Sequence, residues 1–233
     1  MKVYSSTDTH LVAVDCIVFG YDVTERDLRL LLVKRDFEPS RGCWSLSGGF
    51  VRTGESLDKA ASRILFDLAG LKNVYMEQLY TYGEVSRDPG ARVISTAYFA
   101  LIKEEDIDAD IQKRNGAHWR SIKDLPCLIF DHSLMVERAL AELINQVKIH
   151  PVGFELLPDR FTITQLQDLY EAIYRRTIDK RNFRKKIMSM NILEKLDEKE
   201  KLSSKRGAYY YRFIPERYEV FKQSGFYFNL DVN

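Results

Sequence analysis

The stretch GGFVRTGESLDKAASRILFDLAGL, from Gly48 to Leu71, decides the fold. Within it Leu57, Ala61, Ile64, Leu65 and Leu68 recur at intervals of three and four, which predicts a helix with one apolar stripe. Gly70 stands where that helix stops, since glycine takes the left-handed backbone of a helix end without steric cost. On the N-terminal side, Leu11 to Phe19 and Leu28 to Val33 are rich in apolar and β-branched residues around the polar turn Asp22 to Asp27, and are predicted as strands. Trp44 to Val51 and Ile94 to Ile102 are predicted likewise. A second helix is expected after Asp131, with Val136, Leu140, Leu143, Ile144 and Val147 on one face. Together these segments make an α/β or α+β sandwich of about 145 residues.

The whole chain has 233 residues, 35 Lys plus Arg against 34 Asp plus Glu, and 45% hydrophobic residues, an ordinary globular composition that excludes disordered, collagenous and coiled-coil classes. No run approaches the ~18 apolar residues of a membrane span, and the start MKVYSSTDTH lacks a signal-peptide core, so a cytoplasmic protein with no membrane partner is expected. Cys16, Cys43 and Cys127 are odd in number, far apart and set among apolar residues, as for reduced thiols; neither a disulfide framework nor a metal site is expected. A net charge of +1 argues against a nucleic-acid partner only as a whole-chain sum. Residues 149–233 hold 16 basic and 12 acidic side chains, net +4, which leaves 19 and 22, net −3, before them. Arg175 to Lys186 alone carries net +6. The proline- and glycine-bearing stretch His150 to Arg160 marks a boundary. The expected organisation is one domain over 1–148, a linker over 149–160 and a second, basic domain over 161–233.

In that last domain Thr162 and Gln165 form a capping box for a helix with Leu166, Leu169, Tyr170 and Ile173 on its apolar face. Asp179 caps a second helix, on which Phe183, Ile187 and Met190 share a narrow buried sector while Arg181, Arg184, Lys185 and Met188 project oppositely. Two strands follow, around Ile192 to Leu196 and Ala208 to Phe213, giving a winged helix-turn-helix outline. Basic residues on the exposed face of its second helix suit a DNA major groove: Lys180 and Lys185 neutralise phosphates, Arg181 or Arg184 pairs with guanine, and Asn182 pairs with adenine. Lys205 and Arg206, at a wing tip, are candidates for phosphate or minor groove.

The opening stretch also resembles the Nudix box, G-x5-E-x7-R-E-U-x-E-E-x-G-U with U a bulky aliphatic. Gly49, Glu55, Arg63, Leu65, Gly70 and Leu71 fall on its anchors. In the family, glutamates on one helical face hold magnesium for hydrolysis of a nucleoside diphosphate linkage. Those positions are Ile64, Asp67 and Leu68 here, so the resemblance implies the fold without the metal, the cofactor or the catalysis. A metal-free Nudix pocket can still bind a ligand. Trp44, Gly48, Gly49, Arg52, Glu84 and Arg87 are the candidate effector contacts. Phe154 to Ile187, Tyr80 to Leu101 and Leu128 to His132 (LIFDH) are similar to the Nudix-related transcriptional regulators of the NrtR type, in particular their arabinose-responsive, AraR-like branch in Bacteroides-type bacteria. That resemblance implies an α+β chain, a Nudix-like domain followed by a winged helix, acting as a homodimeric repressor on a duplex operator. L-arabinose is the expected effector, with ADP-ribose and NAD metabolism as the alternative. A Nudix hydrolase with an accessory basic domain is the rival reading from the enzyme class.

Overall fold

The computed structural model describes residues 9–71, 74–149, 153–201 and 207–223. The chain divides into two compact units: residues up to Gly20 with Arg29–Ala139, and Tyr21–Leu28 with the chain from Leu140 onward.

The first unit is built on a mixed seven-stranded sheet of β1 (Leu11–Asp22), β2 (Asp27–Lys34), β3 (Trp44–Ser45), β4 (Ser47–Phe50), β5 (Glu77–Tyr82), β6 (Val93–Leu101) and β7 (Ala117–Ser121). The main path runs β3-β2-β1-β6-β5, with β4 on β1 and β7 on β2. β1 and β6 are parallel, from Leu11 opposite Val93 to Phe19 opposite Leu101. β1 is buried from Ala13 to Tyr21, which is why its sequence is a continuous apolar run and does not alternate. The segment expected as one strand over Trp44 to Val51 is two: β3 pairs with β2 and β4 with β1, and Leu46 lies between them.

Helix α1 (Leu57–Ala69) covers one face. Its N-cap Ser56 accepts the Lys59 N–H, and Gly70, at φ 72°, ends it with its N–H on the Phe66 carbonyl. Ala60, Ala61, Ile64 and Leu65 pack with Val14, Cys16, Val18, Leu31 and Tyr98 in one core, with Leu68 against it. The short helix α2 (Ala109–Arg114) follows, and Asn115 after it donates to the carbonyls of Asp67 and Leu68. Helix α3 (His132–Ile149) buries Met135, Val136, Ala139, Leu143 and Val147, and the division between units falls inside it.

The second unit contains β8 (Phe161–Thr162), α4 (Ile163–Tyr174), α5 (Lys180–Ser189), β9 (Leu193–Glu200), β10 (Ala208–Phe213) and α6 (Pro215–Gln223), with the strands ordered β8-β10-β9. The capping box on α4 is present in both directions, Gln165 N–H to Thr162 Oγ1 at 3.2 Å and Thr162 N–H to Gln165 Oε1 at 2.8 Å. Leu166, Leu169, Tyr170, Ile173, Phe183 and Ile187 are each at most 1% exposed, so the apolar stripes of α4 and α5 form the core of the unit.

Candidate functional site

Glu55, just before α1, is held by Arg63 on that helix. Arg63 Nη2 and Nε donate to the two Glu55 oxygens at 2.6 and 3.0 Å, and Arg63 Nη2 also reaches the Phe50 carbonyl at 3.1 Å. The Arg52 N–H adds a bond at 2.8 Å. The Arg63 hydrogen bonds first, and the Arg52 N–H next, hold the Glu55 carboxyl down at about 2. Of the three positions one face further on, Ile64 is buried in the core, Leu68 packs against that core, and Asp67 is exposed with Arg63 at 3.9 Å. A Cβ on Gly49 would stand 3.2 Å from Ile64 Cδ1, so the Gly-Gly segment lies directly over that isoleucine. Magnesium takes six oxygens in octahedral array; one carboxylate locked to an arginine and one exposed aspartate do not fit it. Among the described residues no group of three His, Cys, Asp or Glu side chains is arranged to hold a metal ion.

A buried polar network lies at the centre of the sheet. Asp15 on β1 is 6% exposed, accepts Ser95 Oγ at 2.6 Å, and faces Arg87 Nη2 and His132 Nε2, each at 3.6 Å. Arg87 also makes a two-pronged pair with Asp131, at 2.7 and 2.9 Å. His132 Nδ1 accepts the Leu46 N–H at 3.0 Å, which leaves the ring proton on Nε2, toward Asp15. Burial, the larger effect, lowers the His132 pKa against the pull of Asp15 and Asp131. Gly48 belongs to this site by necessity: β4 places it opposite Asp15, and a Cβ there would collide with Asp15 Oδ1.

The six candidate effector residues therefore separate. Gly48 and Arg87 meet at Asp15. Gly49 covers Ile64. Arg52 is exposed and offers its backbone to Glu55. Glu84 is exposed and closes its own turn, its carbonyl accepting the Arg87 N–H and Arg92 Nη1. Trp44 is half-buried, with the Arg120 guanidinium 4.5 Å and Lys34 Nζ 6.0 Å from its ring and His118 edge-on. Sequence reasoning gave no role to Asp15, Ser95, Asp131 or His132. The available signal was Asp15 itself, a charge inside the apolar run LVAVDCIVF, since a charge so placed needs a partner. The three cysteines are free thiols: Cys16 is buried, while Cys43 and Cys127 are exposed.

In the second unit, Asp179 accepts the Asn182 N–H at 2.7 Å and starts α5. Phe183, Ile187 and Met190 are buried, while Lys180, Arg181, Asn182, Arg184 and Lys185 are exposed. Arg181, Arg184 and Lys185 make no ion pair among the described residues, so their charge faces solvent. The turn between α4 and α5 has its own clamp, also unforeseen. Glu171 Oε1 accepts the Ile178 N–H and Gln167 Nε2, both at 2.9 Å, and Gln167 Nε2 also donates to the Ile178 carbonyl at 3.0 Å. Arg175 makes the bend at φ 54°. On the strands, Lys195 and Lys199 hold their ammonium groups 3.6 and 4.5 Å from the Tyr209 ring. Lys205 and Arg206 lie outside the described residues.

Comparison with known proteins matches both parts. Residues 9–141 fit the NUDIX domain model, and residues 153–213 fit the NrtR DNA-binding winged helix domain. A relative from Acinetobacter baylyi described as an ADPR responsive transcriptional repressor, NtrR, is 32% identical over 213 residues, covering 90% of this chain and 84% of the relative. An ADP-ribose pyrophosphatase from Methanocaldococcus jannaschii is 32% identical over 126 residues, 54% of this chain and 70% of that protein. The crystal structure of Shewanella oneidensis NrtR complexed with a 27mer DNA superposes with a TM-score of 0.79 at 28% identity, covering 89% of this chain and 95% of that one. No helix among the described residues is long and apolar enough to cross a membrane. With one Nudix domain, one NrtR winged helix after it, and a relative aligned across both, the chain belongs to the NrtR family of Nudix-fused winged-helix regulators.

Proposed function

We propose that this protein is a homodimeric transcriptional repressor whose α5 helices bind a duplex operator and whose Nudix domain binds ADP-ribose without hydrolysing it. The observation that carries the reading is the contrast within one chain: a Nudix helix whose metal face is packed with Ile64 and Leu68, and a recognition helix whose Arg181, Arg184 and Lys185 face solvent unpaired. The descriptions of the relatives favour ADP-ribose over L-arabinose. One is named as an ADPR responsive repressor and another as an ADP-ribose pyrophosphatase. L-arabinose then becomes the control sugar.

Arg181 and Arg184 serve as base readers, with Asn182 beside them and Lys180 and Lys185 on phosphate. Lys205 and Arg206, which stand between the two strands in sequence, are further candidates for phosphate. For the effector, Trp44, Gly48, Gly49, Arg52 and Glu84 remain the direct contacts. Arg87, whose guanidinium is committed to Asp131 and Asp15, holds the loop that bears Glu84. The coupling is reciprocal: if ADP-ribose weakens operator binding by some factor, the operator weakens ADP-ribose binding equally, typically by ~1–3 kcal/mol. A dimer places its two half-sites about 10 base pairs apart or at a multiple of that.

The test is selection of duplexes from a randomised pool by the full chain, followed by a thermal-shift series with ADP-ribose and L-arabinose. Enrichment of a palindrome and stabilisation by ADP-ribose alone are expected. At 100 times its dissociation constant a ligand adds ~2.7 kcal/mol to the folded state. Stabilisation by L-arabinose alone would assign the effector to the sugar. The hydrolase reading is tested separately: magnesium- or manganese-dependent release of AMP from ADP-ribose at an ordinary enzymatic rate would overturn the sensor assignment.

A further inference from the structure

Cys43 and Cys127 are 84 positions apart in sequence, and both are exposed. Each immediately precedes one member of an isolated parallel bridge, Trp44 with Leu128. Two further bonds keep these segments side by side: the Ile129 N–H reaches the Trp44 carbonyl at 3.0 Å, and the Leu46 N–H reaches His132 Nδ1 at 3.0 Å. In a parallel pairing, residues one step before a bridged pair also face each other, and neighbouring strands lie about 4.8 Å apart. A disulfide spans Cα separations of ~4.4–6.8 Å. Side chains alternate along extended chain, so the two thiols fall on the face opposite Trp44 and Leu128. Leu128 is buried, in agreement with its neighbour Cys127 being open to solvent.

We infer that Cys43 and Cys127 are a vicinal thiol pair across this bridge, a site of intramolecular disulfide formation with a low-molecular-weight disulfide as oxidant. One thiolate attacks a sulfur of the oxidant, forming a mixed disulfide and releasing one thiol. The second thiolate then attacks the protein sulfur of that mixed disulfide, expelling the second thiol. Two protons and two electrons pass in total from the protein thiols to the oxidant, whose S–S bond is broken as the protein's is made. The third cysteine stands apart: Cys16 is 1% exposed in the α1 core, with its Sγ donating to the Ala61 carbonyl. The bond would fasten β3 to the segment that enters α3, bracketing the Leu46–His132 contact from the other end.

The experiment uses the full chain, reduced and then equilibrated with oxidised glutathione in excess over reduced. The expected result is a fall from three titratable thiols to one after denaturation, an intact mass lower by two hydrogens, and a proteolytic fragment joining Cys43 to Cys127. Cys43→Ser and Cys127→Ser should each leave the remaining exposed cysteine as a glutathione adduct with no internal link. Three surviving thiols, stable glutathione adducts on both cysteines of the wild-type chain, or a bond between two chains would each overturn the assignment.

Discussion

Helices α1 and α5 each begin with a side-chain cap, Ser56 and Asp179, and each buries a narrow apolar stripe. They differ in where their charge goes. At α1 the functional polar groups are consumed internally: Arg63 on the helix is locked to Glu55 just before it, and Ile64 and Leu68 occupy what a metal-binding helix would offer to solvent. On α5 the charge is left outside, with only Phe183 and Ile187 turned inward. A buried ion that loses its partner costs several kcal/mol of stability, whereas an exposed unpaired cation costs little until a polyanion arrives. The two helices therefore differ in their use of charge: α1 pairs its Arg63 with Glu55, and α5 leaves Arg181, Arg184 and Lys185 in solvent.

The comparison breaks most visibly if interior charge proves dispensable. Arg87→Ala leaves Asp15 and Asp131 without their shared cation and should lower stability by ~3–5 kcal/mol in urea unfolding; a loss below ~1 kcal/mol would mean the network is not structural. Ile64→Ala should cost ~2–5 kcal/mol through the cavity it leaves. Ile64→Glu should also destabilise, and should not bring metal-dependent hydrolysis.

Smaller effects belong to the exterior. Arg181→Ala and Arg184→Ala should each weaken specific DNA binding by ~1–3 kcal/mol while leaving unfolding curves unchanged. Lys185→Ala should weaken binding to all sequences alike and flatten the dependence of log affinity on log salt by about 1. Unchanged affinity in all three would remove α5 from the interface. The smallest effect is with pH. His132 is held neutral, its pKa lowered in the folded state by burial, so the unfolded chain binds the extra proton first as pH falls. Its contribution is complete above pH 6.5 and is lost as pH drops below that value. His132→Gln should remove that portion of the acid sensitivity in a series of melting temperatures.

Local signals carried the readings that succeeded. α1 was legible from its three-and-four spacing and Gly70, α4 from Thr162 and Gln165, and α5 from Asp179 and the Phe183–Ile187 pair. Two of the strands missed are partly buried: β5, EQLYTY, is exposed at three of its six positions, and β7 carries His118 and Arg120 outward; the third, β8, is buried but only two residues long. The split of β3 from β4 depends on two different partner strands, which no local spacing encodes. Asp15 meets partners 72 to 117 positions away in sequence, so Arg87, a candidate effector contact, proved to be 7% exposed and paired inside.

In the proposed function one chain couples intact ADP-ribose to DNA. The direct measurement is the fluorescence anisotropy of a selected, labelled duplex bound to the protein while ADP-ribose is titrated in with magnesium present. The account predicts that anisotropy falls to that of free duplex, is restored when the nucleotide is dialysed away, and that the recovered nucleotide is intact. Anisotropy that stays at the bound value through saturating ADP-ribose would contradict it.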